Sequence, residues 1–502
     1  MKKIITAAVS IILILNLSAQ QVTKEDYKRA VSFLWQNLNN KKIFNVNTQV
    51  NWLKDSSGGW FLLYNKEGKT FIKIDPKKGK TEPLFDHQRL AKLIGDILKK
   101  EIKPTELPFT YINYNDKTHW EVSLGDKNYV LDLGNYTLTP QKEEATPNPL
   151  EQKSPDGKWI AFAKDHNLYI RSTATGEEKK LSKEGFTNYE YGSYYDWGEI
   201  IEGENGTRPP HFGVSWSPDS KWIQTYICDL RSGSKMYLLD WSIDTLYRPK
   251  LLGYYRGSPG DTNMVYMTPV FFNTQTGEEI RQDEFRNVNA AQFEWAKNEP
   301  GVIYFENGKR GYQQVDLYRY DLNAGQKEKI YTETSATNID GYYSQQLDET
   351  GKILILSEQS GWRQLYLLDA KTKTIKPVTK GEYFINTILF VDKKTQTILF
   401  TASGKEPGRN PYYQHLYKIK MDGSSLSLLT PENANHDITV SPDGKFIADN
   451  ISTLNMPTRS VLRDARTGKI ITEYSHADIS GLMAMNFRLP EAFQCTGRDG
   501  ST

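Results

Sequence analysis

Short runs of alternating apolar and polar residues, each introduced by a polar turn, recur along most of this chain. The clearest turn is Ser441-Pro442-Asp443-Gly444-Lys445, which leads into Phe446-Ile447. Earlier copies are Ser154-Pro155-Asp156-Gly157-Lys158-Trp159-Ile160 and Ser217-Pro218-Asp219-Ser220-Lys221-Trp222-Ile223. Pro sets φ at the second turn position, Asp bonds its own backbone, and Gly closes the turn. The aromatic and β-branched residues that follow suit a pleated, half-buried strand. A second phrase marks a middle strand of each repeat: Leu168-Tyr169-Ile170, Met236-Tyr237-Leu238, Leu317-Tyr318-Arg319, Leu365-Tyr366-Leu367 and Leu416-Tyr417-Lys418. Tyr318, Tyr366 and Tyr417 fall at intervals close to the roughly 40–50 residues of a four-stranded propeller blade. Tyr169, Tyr237 and Tyr318 lie further apart, which predicts loops inserted in that half. The pattern as a whole predicts an all-β propeller.

Two stretches leave the strand pattern and read as helix. In 23–38, Thr23 and Asp26 resemble a capping box, with Val22 and Tyr27 placed as a hydrophobic staple. Tyr27, Ala30, Val31, Leu34 and Leu38 then share one apolar face. Asp86 is placed to cap a second helix, whose apolar side is Leu90, Leu93, Ile94, Ile97 and Leu98. Two long insertions, 185–212 and 254–269, lie between strand phrases and are expected to project from one rim, where loops commonly carry binding. The resulting division is a signal peptide at 1–19, an N-terminal helical segment at 20–45, the propeller at 46–476 and a linker tail at 477–502. The signal reading rests on Lys2 and Lys3, the apolar run 4–17 and the small residues Ser18 and Ala19. That run is short of the ~20 residues a membrane span needs. A periplasmic or secreted protein with no membrane span after cleavage is the expectation.

The composition adds exclusions. With 502 residues, 25% of them charged, and a net charge of +2, the chain carries no nucleic-acid signature. Two cysteines cannot build a disulfide framework; Cys228 is expected buried and Cys495 incidental. There is no Gly-x-Ser-x-Gly elbow, His-Glu-x-x-His, P-loop or dinucleotide fingerprint. No two histidines share metal-ligand spacing. No cofactor, metal or catalytic residue is therefore expected. The acidic cluster Asp196, Glu199, Glu202 and Glu204 sits among Tyr189, Tyr191, Tyr194, Tyr195 and Trp197. Carboxylates with aromatics can hold a peptide ammonium through charge-assisted hydrogen bonds and cation–π contact. They can equally be a solvated loop that its aromatics pack down. Both readings stand on sequence alone.

Three phrases carry a family resemblance. They are Ser360-Gly361-Trp362-Arg363-Gln364-Leu365-Tyr366-Leu367, His415-Leu416-Tyr417 with Leu428-Leu429-Thr430-Pro431, and Ser441–Lys445 with Leu462-Arg463-Asp464-Ala465. Together they resemble the N-terminal β-propeller region of the dipeptidyl peptidase IV branch of the prolyl oligopeptidase family of serine peptidases. The resemblance covers nearly everything after the signal segment. It implies an eight-bladed propeller that encloses a substrate cavity together with an α/β-hydrolase domain, and a role in substrate gating and N-terminus recognition. In that family the hydrolase follows the propeller and carries the Ser, His and Asp of acyl transfer. Asp499-Gly500-Ser501-Thr502 resembles its opening strand, so all three would lie beyond Thr502 and this chain alone is expected to be inactive. Dipeptidyl peptidases hold the substrate amino terminus with two adjacent glutamates after an Asp-Trp phrase. Here Asp196-Trp197 precedes Gly198-Glu199-Ile200-Ile201-Glu202, and an ungapped match puts Ile201 and Glu202 at the paired positions. Trp197, Glu199 and Glu202 are the expected substrate-binding residues, with one carboxylate of the pair retained. Expected partners are a peptide substrate, a hydrolase domain missing from this chain, and a second copy in a homodimer. The alternative is a stand-alone periplasmic propeller that binds peptides or proteins as a scaffold. Without a hydrolase, apolar residues such as Leu482, Met483, Met485, Phe487 and Phe493 are expected to be exposed and to promote association.

Overall fold

The computed structural model describes residues 22–141, 148–196, 198–243, 245, 247–347 and 350–500. The signal-peptide reading and Trp197 lie outside the described residues. The chain divides into two compact units. One comprises 1–142, 386–420 and 424–502; the other comprises 143–385 and 421–423.

The first unit is built from four-stranded antiparallel sheets at 51–83, 113–140 and 435–476 and nearly all of the one at 384–428. The second contains meanders of the same kind at 151–180, 292–334 and 343–377, and a more elaborate sheet at 189–281. In each plain meander, strands pair only with their sequence neighbours. These sheets are the blades of an all-β, eight-bladed propeller fold.

The repeated turn has one chemistry in all three copies. The hydroxyls of Ser154, Ser217 and Ser441 donate to Asp156, Asp219 and Asp443 at 2.7, 2.7 and 2.8 Å. The same hydroxyls accept from the amides of Trp159, Trp222 and Phe446 at 3.0, 2.9 and 3.0 Å. The turn is thereby clipped to the strand that it starts, a role for Ser that the turn signature alone does not show. The fourth position is left-handed: φ is 75° at Gly157, 69° at Gly444 and 61° at Ser220. The Tyr phrases at 169, 318, 366 and 417 occupy third strands of their sheets. The Met236 phrase does not: its strand belongs to a separate side sheet, described below, which corrects the spacing argument for that half.

The predicted helix at 23–38 is two. Helix α1 (Lys24–Ser32) carries the expected capping box, the Asp26 amide donating to Thr23 Oγ1 at 3.2 Å and the Thr23 amide to Asp26 Oδ2 at 2.8 Å. Leu34 then takes an extended backbone, and a single turn, α2 (Trp35–Leu38), follows. No residue of α1 is buried, and Val22 and Tyr27 are both exposed. What the helix does meet is the tail: Arg29 donates to the Met485 carbonyl at 3.1 Å, and Phe33 lies 6.3 Å from Phe487. Helix α3 (His87–Leu98) is capped by Asp86, which accepts from the Arg89 amide at 3.0 Å. It buries Leu90, Ala91 and Ile94 against Phe71, Phe85, Trp120 and Leu131. In the tail, after the short helix α4 (Ser480–Met483), Phe493 is exposed, as is Met483; Leu482, Met485 and Phe487 are half-buried.

The sheet at 435–476 holds an ionic core. Arg463, 1% exposed, donates to Asp449 at 2.8 Å, to Glu432 at 2.8 Å and to the Gly468 carbonyl at 3.0 Å. Asp449, fully buried, also lies 2.9 Å from His436 Nδ1. Among the described residues no helix is long and apolar enough to cross a membrane.

Candidate functional site

The sheet at 189–281 departs from the meander because two excursions interrupt it. Its strands are β1 (Tyr189–Tyr191), β3 (Ser215–Trp216), β4 (Trp222–Asp229), β7 (Tyr266–Asn273) and β8 (Glu279–Arg281); β2 (Ile201–Glu202), β5 (Lys235–Asp240) and β6 (Lys250–Tyr255) lie in the excursions. Strands β1 and β3 pair with opposite ends of the same edge of β4, Tyr191 facing Ile227 and Trp216 facing Ile223. Together they make one first strand, and 192–214 loops out between the halves. Strand β4 withstands this because it is buried almost throughout, with Ile223, Ile227 and Cys228 fully inside. The second excursion, 230–265, holds the hairpin β5–β6, and β2 from the first adds to β6, Ile201 facing Gly253. The two insertions seen in the sequence thus join in a three-stranded side sheet, and the second starts earlier than its turn signals suggested.

The first excursion folds its charges inward. Glu199, its side chain 3% exposed, accepts from His211 Nε2 at 2.8 Å and lies 3.4 Å from Arg208. Arg208 also donates to Glu190 on β1 at 2.7 Å, to Ser193 Oγ at 3.0 Å and to the Tyr194 carbonyl at 2.7 Å. His166 stands 3.8 Å from the other oxygen of Glu190. Burial works against the Arg208 charge, but Glu190 and Glu199 outweigh it and hold the guanidinium above its ordinary pKa. Two carboxylates thus share one guanidinium, and each has an imidazole beside it. Cys228, opposite Glu190 in the ladder, is pushed up to about 12 by burial. It stays a neutral thiol and is no nucleophile.

Glu202 is placed elsewhere. It sits on β2 with its side chain exposed and paired to Lys250 at 3.2 Å, sharing no partner with Glu199. Asp196 accepts from the Gly198 amide at 2.9 Å. Tyr191 is fully buried and donates to Glu279 at 3.0 Å, and Tyr195 packs with Cys228, Leu230, Val265 and Met267. The aromatics therefore pin the loop down, and in doing so they hold Glu199 in place. Sequence reasoning missed Glu190, Ser193, Arg208 and His211. A signal was present: Arg208 and His211 are the only basic side chains in the acidic stretch 185–212. A cavity of about 810 Å³ borders the side sheet, lined by Met236, Tyr254, Arg256, Arg310 and Tyr312. Among the described residues no group of three or more His, Cys, Asp or Glu is arranged to hold a metal ion.

The family described as the Dipeptidyl peptidase IV (DPP IV) N-terminal region matches residues 105–458. The chain is 22% identical over 515 residues to the dipeptidyl-aminopeptidase B of Aspergillus niger, covering 90% of this chain and 54% of that one. It is 21% identical over 383 residues to the dipeptidyl peptidase 4 of Arthroderma otae, covering 72% and 47%. Among solved structures, Porphyromonas gingivalis dipeptidyl peptidase 4 aligns with a TM-score of 0.54 at 17% identity, covering 86% of this chain and 60% of that one. This likeness is one of fold. The chain spans roughly two-fifths to a little over half the length of the relatives it matches.

Proposed function

The chain belongs to the dipeptidyl peptidase IV N-terminal region family, and from that premise we propose that it is the substrate-recognition propeller of an exported peptidase of the dipeptidyl type. Its task is to gate peptides and hold their free amino terminus; cleavage is carried out by a serine hydrolase domain working with it. The observation that carries this reading is the convergence of Glu190 and Glu199 on the single guanidinium of Arg208. A buried carboxylate pair with one guanidinium attracts a second cation, and a peptide ammonium supplies it with three donors. The exposed Glu202, already offset by Lys250, is a weaker candidate. The exposed α1 face and the tail it meets support docking of the hydrolase domain. Self-association has support in β5, an edge strand whose Met236, Tyr237, Leu238 and Leu239 are all exposed.

The test is binding of a labelled dipeptide with a free amino terminus, against the same peptide acetylated. Hydrogen bonds to charged groups contribute ~1.5–3 kcal/mol, so Glu199→Gln should weaken binding of the free peptide by about 10- to 150-fold. Glu202→Gln should change it little. Equal binding of the acetylated peptide, or sensitivity to Glu202 alone, refutes the assignment.

A further inference from the structure

The first unit contains a cavity of about 470 Å³ whose lining is wholly uncharged, in a chain with 25% charged residues. It lies between α2, the segment 39–50 and the sheet at 51–83. Trp35 and Tyr111 enter it with 61% and 59% of their surfaces exposed. Asn39, Asn40, Asn45, Asn47 and Asn51 line it as well. Tyr111 is backed by the buried Trp60, ring centres 5.6 Å apart.

The surface is held rigid by its own chain. Asn45 forks onto the main chain of Tyr64, donating at 3.0 Å and accepting at 2.8 Å. Phe44 exchanges both backbone hydrogen bonds with Asp478 at 2.9 Å. Asn47 and Gln49 both donate to Asp437 at the border, at 2.9 and 2.8 Å, which occupies the nearest carboxylate. Among the described residues, the side-chain amides of Asn39 and Asn40 and the side-chain carbonyl oxygen of Gln49 have no partner.

We infer that this cavity is a binding site for a neutral oligosaccharide. Amides offer a donor and an acceptor side by side, which matches vicinal hydroxyls that each donate and accept. The exposed rings of Trp35 and Tyr111, the latter backed by buried Trp60, provide flat apolar faces for the C–H side of a pyranose. A lining without charge gives an ionic ligand nothing to pair with. An extended peptide is captured through an open strand edge. Little of that edge is offered here: Asn40 and Asn45 have φ of 53° and 56°, and the edge strand Asn51–Trp52 is only two residues long. The site uses no residue of the carboxylate cluster and needs no peptidase activity.

The experiment titrates the full-length chain with cellohexaose, maltohexaose, xylohexaose and the hexamer of N-acetylglucosamine, followed by calorimetry and tryptophan fluorescence. A blocked Gly-Ser hexapeptide is the control. At least one sugar should bind with a Kd of about 10⁻⁴–10⁻³ M and shift the emission of Trp35. Trp35→Ala and Tyr111→Ala should each weaken it at least tenfold, and Asn39→Ala severalfold, without moving the thermal midpoint. No binding by any of the four sugars, unchanged binding in Trp35→Ala, or binding of the peptide alone overturns the assignment.

Discussion

Replacing Arg463 with Met removes a charge from the ionic core of the 435–476 sheet while keeping most of the side-chain length. The structure sets the size of the effect. Arg463 loses three hydrogen bonds, two of them to carboxylates. Glu432, 31% exposed at its side chain, can turn to water. Asp449 cannot, since it is fully buried, and it is left with the His436 ring at 2.9 Å. Stripping one partner from a buried pair costs ~3–5 kcal/mol. That is a large part of the ~5–15 kcal/mol that holds a typical domain. Long repeat arrays need not unfold in one step, so the local measurement is hydrogen exchange across 435–476, with the urea midpoint beside it. Arg463→Met should collapse protection there. Adding Asp449→Asn should recover part of it, with a coupling above ~1 kcal/mol. Arg459→Met is the control, because Arg459 and Glu473 pair at the surface, where such pairs contribute ~0–1 kcal/mol. A loss no larger than that of the control, or strictly additive effects in the double variant, would show that the buried triad does not stabilise this sheet.

Gly157→Ala should cost about 1–2 kcal/mol from its left-handed backbone alone, since the added methyl meets nothing closer than 3.5 Å. Gly444→Ala should cost a further ~1–3 kcal/mol in chemical denaturation, because its methyl would fall 2.2 Å from the Phe390 ring. Burial lowers the pKa of His415, with His436 and Arg409 adding to the effect. The unfolded chain then binds the proton first, so stability should fall as pH drops below about 6.5, and His415→Gln should flatten that part of the urea-midpoint profile. Leu239→Lys on the exposed edge strand β5 should shift the chain toward monomer in light scattering; a sharp monomer for the unsubstituted chain removes the basis of the self-association proposal.

The blades were legible because their signals are local. Ser, Pro, Asp and Gly at fixed offsets act within one turn, and Leu168, Leu317, Leu365 and Leu416 alternate within one strand. Where the reading slipped, the information was not local. Met236-Tyr237-Leu238 has the composition of a middle strand, but its ladder is made with β6 and continues to β2, contributed from 201–202. Nothing within the phrase says that its apolar side chains stay exposed. The helix at 23–38 failed in the same way. Its periodicity runs on through Leu34, yet an extended residue there breaks it, and Phe33 points to Phe487, a tail residue hundreds of positions later.

The candidate site shows the same division in chemical terms. Acidic residues in 185–212 announce negative charge, and the family resemblance named Glu199 and Glu202 together as substrate-binding residues. Strand pairing separates them instead. Glu202 is fixed by its register opposite Leu252, which turns it to solvent near Lys250. Glu199 precedes the strand and folds back onto Arg208 and His211. The carboxylate that joins it is Glu190, which looks like an ordinary strand residue until β1 is seen to pair with β4 opposite Cys228. A count of acids therefore locates the loop but cannot name the pair. What names it is the single Arg208 that both glutamates reach, because a buried carboxylate persists as a charge only where a cation or hydrogen-bond donor compensates it.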